Sequence, residues 1–249
     1  MSKFVSFITA GDPSLAKTKE FIGILSEHSD FVEIGLPFSD PIAEGEVIQQ
    51  ASERALRNGV TPAQVFDMLQ TLDPARRGKL VILTYANTAF SYGYSRFFGR
   101  CADCGVFGAV IPDIPYEERG EAAGYAAQHG VHLITMIAPT SAGRIQTLAK
   151  EAGGFIYLVS SMGVTGVRSE FSDDLPGIVA QIREVTDVPV MVGFGISTPE
   201  QVKAVGAFAD GAIVGSAFVR IIAEHGADSA PHLKKFIKEL TGNGPVPIG

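Results

Sequence analysis

Short apolar runs alternate with longer helical patterns from one end of this chain to the other, and that alternation limits the fold more than any motif does. The runs fall at residues 4–9, 31–35, 80–84, 108–111, 132–137, 155–159, 188–193 and 211–214. Strands regularly separated by helices are the mark of βα units and a parallel sheet. Eight units in 249 residues fit a closed barrel better than an open doubly wound sheet. The expected fold is therefore α/β, a (βα)8 TIM barrel forming a single domain over 1–249, with a frayed tail at 242–249. Two helix starts are explicit: Thr61-Pro62-Ala63-Gln64 and Thr198-Pro199-Glu200-Gln201 each set a capping Thr before Pro, with Gln three residues on to answer the cap.

Charge and cysteine content exclude several classes of function. The net charge is -7, and no basic cluster exceeds the short turn Arg76-Arg77-Gly78-Lys79, which is expected to face solvent. A general nucleic-acid or membrane-surface role is not supported. No run approaches the roughly 20 apolar residues of a membrane span. Met1-Ser2-Lys3 leads directly into an apolar strand without a secretory leader, so a cytoplasmic location is expected. Cys101 and Cys104 form a C-x-x-C with no further cysteine to complete a tetrathiolate site, and two small helix residues explain them better than a redox pair. The histidines at 28, 129, 132, 225 and 232 lack metal-ligand spacing, so no metal is expected.

The second run, Phe31-Val32-Glu33-Ile34-Gly35, carries an acid inside an apolar strand. Burying an unpaired charge is costly, so such a carboxylate changes its protonation state or binds something. Alternation turns Phe31, Glu33 and Gly35 into the barrel if Val32 and Ile34 face the helices, and it puts Glu33 near the upper rim. The acids Asp40, Glu44 and Glu46 follow within reach. Two carboxylates near the end of a buried strand suit proton transfer on a bound small molecule. About 45 residues separate this strand from the next, enough for a catalytic loop and two helices at the end of the barrel where active sites are built.

Glycine recurs after three successive strands, in Ser160-Ser161-Met162-Gly163-Val164-Thr165-Gly166, in Gly193-Phe194-Gly195-Ile196-Ser197 and in Gly215-Ser216. A single Gly-x-Gly marks a turn more often than a ligand. Three at consecutive strand ends, with Gly215-Ser216 opening a helix, point to backbone N–H groups that cradle a phosphate. The polar segment from Gly163 to Leu175 is either a lid over the mouth or an ordinary long loop; composition does not separate the two.

Taken in order, several motifs resemble one family, the tryptophan synthase alpha subunit, over nearly the whole chain. They are Phe7-Ile8-Thr9-Ala10-Gly11-Asp12-Pro13, Val32 to Pro41, Tyr85-Ala86-Asn87, Pro112-Asp113-Ile114-Pro115, Gly163 to Gly166, Gly193 to Ile196 and Asp210 to Ser216. The resemblance implies a lyase of L-tryptophan biosynthesis that splits indole-3-glycerol phosphate into indole and glyceraldehyde 3-phosphate. It implies no cofactor in this chain and, as partner, a pyridoxal-phosphate beta subunit in an alpha2-beta2 complex that receives the indole. Glu33 would be the general acid/base and Glu44 the second catalytic carboxylate, facing the indole N–H. Gly166, Gly195, Gly215 and Ser216 would hold the phosphate. Phe7, Leu83, Tyr157, Thr165, Phe194 and Ile213 would line the indole and glycerol portions, although barrel core explains Leu83 and Ile213 equally well. Asp113 would sit at the barrel mouth, and the loop 36–41 and residues 85–87 would meet the partner.

The chain departs from the family pattern in three places. Glu44 stands where Asp is usual, Ser161-Met162 stands where many members have Arg-Ala, and the sequence starts almost at its first strand, where the family has a helix over the barrel floor. The floor is then exposed or covered by another segment. Two further readings remain open, a self-sufficient indole-3-glycerol phosphate lyase and a weakly catalytic activator of the beta subunit.

Overall fold

In the computed structural model the parallel pairing expected from the alternation is present throughout, over the described residues 2–160 and 175–242. Thr165, Gly166, the rest of the expected lid before Leu175, and the tail beyond Gly242 lie outside the described residues. The strands are β1 Lys3–Thr9, β2 Phe31–Gly35, β3 Leu80–Leu83, β4 Gly108–Val110, β5 His132–Leu133, β6 Thr135–Ile137, β7 Ile156–Val159, β8 Val190–Gly193 and β9 Gly211–Val214. The helices are α1 Leu15–Leu25, α2 Glu46–Arg57, α3 Pro62–Gln70, α4 Pro74–Arg77, α5 Ala86–Tyr92, α6 Tyr94–Asp103, α7 Gly120–Gln128, α8 Ile145–Lys150, α9 Leu175–Arg183, α10 Pro199–Val205, α11 Ser216–His225 and α12 Ala230–Thr241.

The strand order is β5-β4-β3-β2-β1-β9-β8-β7-β6. Its two end pieces are halves of one expected strand, 132–137, interrupted at Ile134, so the sheet closes on itself through that residue into a (βα)8 barrel. Nine strand segments thus occupy eight barrel positions. The interruption has a physical cause: the lower half pairs with β4 (His132 with Gly108, Leu133 with Ala109), while the upper half pairs with β7 (Thr135 with Ile156). Arg119 donates to Thr135 Oγ1 at 3.0 Å, a side-chain contact across a stretch where β4 has no ladder to β6.

The two faces of the strands build two separate cores. Ile8, Val32, Ile34, Leu80, Ile82, Ile156, Leu158, Val190 and Val192 pack outward with the helices. Val5, Phe7, Val81, Leu83, Val110, Phe155, Tyr157, Met191 and Ile213 fill the barrel. Register sets Glu33 between Phe7 of β1 and Val81 of β3, both inward residues, so Glu33 belongs to the lumen as its parity requires.

Both expected capping boxes form, Thr61 with Gln64 and Thr198 with Gln201, and start α3 and α10. Three helices, not two, fill the interval between β2 and β3, because Asp73 caps the extra short turn α4. The basic turn is also not the solvent feature expected. Arg76 Nη1 donates to Gly23 O, Arg77 to the carbonyls of Gln70 and Leu72, and Lys79 Nζ to the carbonyls of Ser26 and Ser29 at 3.3 and 3.2 Å. These cations bond carbonyls at and just beyond the C-terminal ends of α1 and α3.

The barrel floor is filled by aromatic rings. Phe31 lies 4.6 Å from Phe107 and 5.5 Å from Phe155 between centroids, and Phe107 lies 4.7 Å from His132. Phe155 is fully buried, while Phe31 and Phe107 remain partly exposed. Cys101 and Cys104 are buried free thiols at the end of α6, with Cys104 Sγ 3.4 Å from Phe66 O. Among the described residues no helix is long and apolar enough to cross a membrane.

Candidate functional site

A cavity of about 80 Å³ opens at the C-terminal mouth of the barrel. Ten of the twelve residues singled out from the sequence surround it: Phe7, Glu33, Leu83, Tyr157 and Ile213 from the strands, Glu44 from the β2–α2 loop, Phe194, Gly195 and Gly215 from the strand-end loops, and Ser216 from the start of α11. The other two are Thr165 and Gly166. Of the acids that follow β2, only Glu44 is buried; Asp40 and Glu46 are exposed.

Three contacts hold the Glu44 loop. The Ala43 N–H donates to Tyr85 Oη at 3.1 Å, the Glu44 N–H donates to Pro41 O at 3.0 Å, and Gln49 Nε2 donates to Glu44 O at 2.8 Å. Tyr85 is fully buried and stacks on Phe38 at 4.8 Å, which joins the front of the loop to the end of β3. Helix α2 begins two residues later and packs against α11 and β1. Its Ile48 and Ala51 belong to the lumen cluster, so the long β2–β3 interval delivers a helix that closes one side of the mouth. Asp12 and Arg54 pin the same helix to the β1–α1 loop through a bidentate pair at 2.9 and 2.8 Å.

Glu33 and Glu44 are 1% and 6% exposed. Glu33 Oε1 has no hydrogen-bond partner among the described residues. Burial, and secondarily the charge of Glu44, raise the Glu33 pKa to about 8; burial raises that of Glu44 to about 8 as well. Burial and the two carboxylates also push the Tyr157 phenol well above its ordinary value, so it stays neutral. A pair of carboxyls that hold protons to neutral pH inside an apolar pocket is equipped to donate and accept protons.

The opposite rim is open backbone at the start of a helix. Phe194 and Gly195 have φ of 75° and 78°, and a Cβ on Gly195 would meet nothing within 4 Å, so it would project into open space. Ser160 Oγ donates to Phe194 O and fixes this unusual backbone. At Gly215 the N-cap of α11 makes no side-chain cap, which leaves first-turn N–H groups facing the mouth. Tyr157 and Phe194 meet edge to face at 5.8 Å and form an apolar wall between the two rims.

Six more residues line the cavity: Ile196 and Ser197, which the sequence placed in the strand-end loop without a role of their own, and Val47, Ile48, Ala217 and Arg220, which were not anticipated. Helical spacing carried a signal for one of them: Arg220 follows Ser216 by four residues within the helix that Gly215-Ser216 opens. Asp113 lies outside this lining; its Oδ1 accepts the Ala86 N–H at 2.8 Å and ties the β4–α7 loop to α5.

A family model described as tryptophan synthase alpha chain matches residues 1–243. The tryptophan synthase alpha chain of Lacticaseibacillus casei is 45% identical over 238 residues, 95% of this chain and 90% of that one. The Geobacter sulfurreducens protein of the same description is 44% identical over 246 residues, 96% and 93% of the two chains. Among solved structures, a chain from the tryptophan synthase a2b2 complex of Pyrococcus furiosus superposes with a TM-score of 0.88 at 33% identity, covering 97% of this chain and all of that one. A chain of Mycobacterium tuberculosis tryptophan synthase gives a TM-score of 0.88 at 29% identity, covering 99% and 93%.

Proposed function

Because this chain belongs to the tryptophan synthase alpha chain family, we propose that it cleaves indole-3-glycerol phosphate by a retro-aldol reaction and hands the indole to a beta subunit. The observation that carries the reading is the burial of Glu33 and Glu44 in one apolar cavity whose far rim is open glycine backbone at the start of α11. The substrate has matching parts: a flat apolar ring, a hydroxyl-bearing chain and a terminal phosphate.

Glu33, neutral at pH 7, gives its proton to the indole carbon that bears the glycerol chain, which produces an iminium at the ring nitrogen. Glu44, once ionised, accepts the ring N–H and offsets that positive charge. Removal of the adjacent hydroxyl proton by the Glu33 carboxylate then turns the C–O bond into an aldehyde. The carbon–carbon bond breaks, its electron pair restores the indole, and glyceraldehyde 3-phosphate leaves. The protonated ring itself takes up the electron pair of the broken bond, and the rest is proton movement between substrate and carboxylates, so the reading assigns the chain no cofactor of its own and leaves pyridoxal phosphate to the beta subunit. Gly195, Gly215 and Ser216, joined by Gly166, would bind the phosphate; Phe7, Leu83, Tyr157, Thr165, Phe194 and Ile213 would hold the ring and glycerol portions. The free thiols Cys101 and Cys104 suit a reducing cytoplasm.

The test is indole release from indole-3-glycerol phosphate by the purified chain, alone and with a tryptophan synthase beta subunit. Slow release that the partner accelerates, abolished separately by Glu33→Gln and Glu44→Gln, supports the reading. Fast release without the partner indicates a self-sufficient lyase. No release in either case, with the beta subunit still activated, leaves a binding role alone.

A further inference from the structure

The described residues include ten arginines, and nine of them engage a partner. Arg54, Arg57, Arg76, Arg100, Arg144 and Arg183 pair with carboxylates. Arg77 donates to backbone carbonyls, Arg96 lies over the Tyr92 ring, and Arg119 bonds Thr135. Arg220 alone has no hydrogen bond, ion pair or ring contact among the described residues, and it is also one of the residues that line the mouth cavity. Arg220 is exposed, so water meets its five donors in the absence of a ligand, and their fixed fork is suited to something that enters the cavity and exchanges for that water.

Its place in the fold says what that something is. Arg220 stands one turn along α11 from Ser216, on the same side of the helix, and shares the cavity wall with Gly195, Gly215 and Ser216. The backbone there supplies only N–H dipoles. Those dipoles bind a phosphate monoanion and dianion with little added charge, whereas a guanidinium one turn away supplies a full positive charge and two parallel donors.

We propose that Arg220 is a specificity-determining residue that pairs with the terminal phosphate of the substrate and makes the site select the dianion. The proposal rests on the phosphate subsite of the function proposed above. Arg220 touches the phosphate, remote from the bond that breaks, so its loss weakens binding of the phosphorylated substrate and not the proton transfers.

Calorimetric titration with inorganic phosphate and with glycerol 3-phosphate, at pH 7.5 and low salt, reads this directly and needs no turnover. Arg220→Gln is expected to weaken both ligands about tenfold and Arg220→Lys to recover part of that loss. Arg183→Gln, which removes a surface pair with Asp210 outside the site, is the control for a general change in charge. In the cleavage assay the Arg220→Gln loss is expected in KM. The affinity difference from the wild type is expected to shrink as salt rises. Equal phosphate affinity in Arg220→Gln and wild type overturns the proposal, as does a wild type that binds neither ligand. If phosphate binding depends on Arg220 but indole-3-glycerol phosphate is not cleaved, the substrate assignment fails and the role of Arg220 stands. If cleavage occurs and Arg220→Gln leaves KM and phosphate affinity unchanged, the role of Arg220 fails alone.

Discussion

Replacing Glu33 with Gln should make the protein more stable and inactive, and the gain should depend on pH. In the folded chain Glu33 holds its proton to about pH 8, whereas a carboxyl of ordinary environment releases it at 4.5. Between those values the unfolded chain has lost a proton that the native chain keeps, so stability falls as pH rises through the window. Below 4.5 both states are protonated and the penalty vanishes; above 8 both are ionised and it is complete. At about 1.4 kcal/mol per pH unit the full gap is about 5 kcal/mol. Relaxation of the folded chain around a buried charge cuts such a figure by about half, which leaves roughly 2 kcal/mol at pH 8. Gln has nearly the same shape and no titration, so it escapes this penalty. For a chain of this length the Tm of Glu33→Gln should exceed that of the wild type by ~4–8 °C at pH 8 and by only ~1 °C at pH 5. Indole release should drop at least ~100-fold, the usual scale for a lost acid/base group. Thermal melts of both proteins from pH 5 to 8.5 decide the matter. An increment that is the same at both ends, or absent, would mean that Glu33 is ionised in the folded protein at neutral pH, and the acid role would fall with it.

Three other outcomes follow from the same geometry. Cleavage needs one carboxyl protonated and the other ionised; with both near pH 8, kcat/KM should be bell-shaped with its maximum near 8 and fall about threefold one pH unit to either side. A profile flat from pH 6 to 8 would contradict it. In Gly193→Ala the new Cβ would lie 2.5 Å from Tyr157 Cε1 and Oη, so the ring must swing into the cavity. A stability loss of about 1–3 kcal/mol and a several-fold rise in KM are expected, and an unchanged KM would show that the ring has room elsewhere. Arg54→Ala strips a buried Asp12 of its bidentate partner and should cost about 2–3 kcal/mol at pH 7, at or below the low end for a buried pair because Arg54 is one-third exposed. Adding Asp12→Asn should restore most of the lost melting temperature, and failure to do so would place the cost in packing instead.

How much of this was legible in the sequence depended on whether the signal was local. Parity within Phe31–Gly35 was enough to turn Glu33 inward, because one strand face must meet the helices and the other the lumen. The capping boxes at Thr61 and Thr198 are complete within four residues and formed as expected. The interruption at Ile134 was not legible: His132-Leu133-Ile134-Thr135-Met136-Ile137 reads as one apolar run, and what breaks it is the pairing of its halves with different neighbours, one near 108 and one near 156. Arg76, Arg77 and Lys79 read as a solvated turn because the carbonyls they satisfy belong to residues as far as 53 positions earlier. Glu44 stood out from Asp40 and Glu46 in the sequence only through the family resemblance; in the structure burial alone separates it.

The strand-end glycines carry a last step of argument, because the sequence suggests one role for them and the structure adds another for some of them. Gly195 leaves its Cβ direction open and Gly215 sits at the mouth of α11, as a phosphate cradle requires. Gly35 and Gly193 serve another purpose: a Cβ at Gly35 would lie 2.7 Å from Phe7 Cζ, and one at Gly193 would overlap the Tyr157 ring. A barrel lumen packs in layers, and two large rings in its top layers need neighbours with no side chain. Phe7 is the register partner of Glu33, and the Tyr157 ring lines the same cavity as that carboxyl. The glycines therefore fix the two rings that keep water from Glu33, and desolvation is the main cause of its raised pKa. The proton-holding capacity of Glu33 is thus set less by the other charge in the site than by how closely two aromatic rings can approach two bare stretches of backbone.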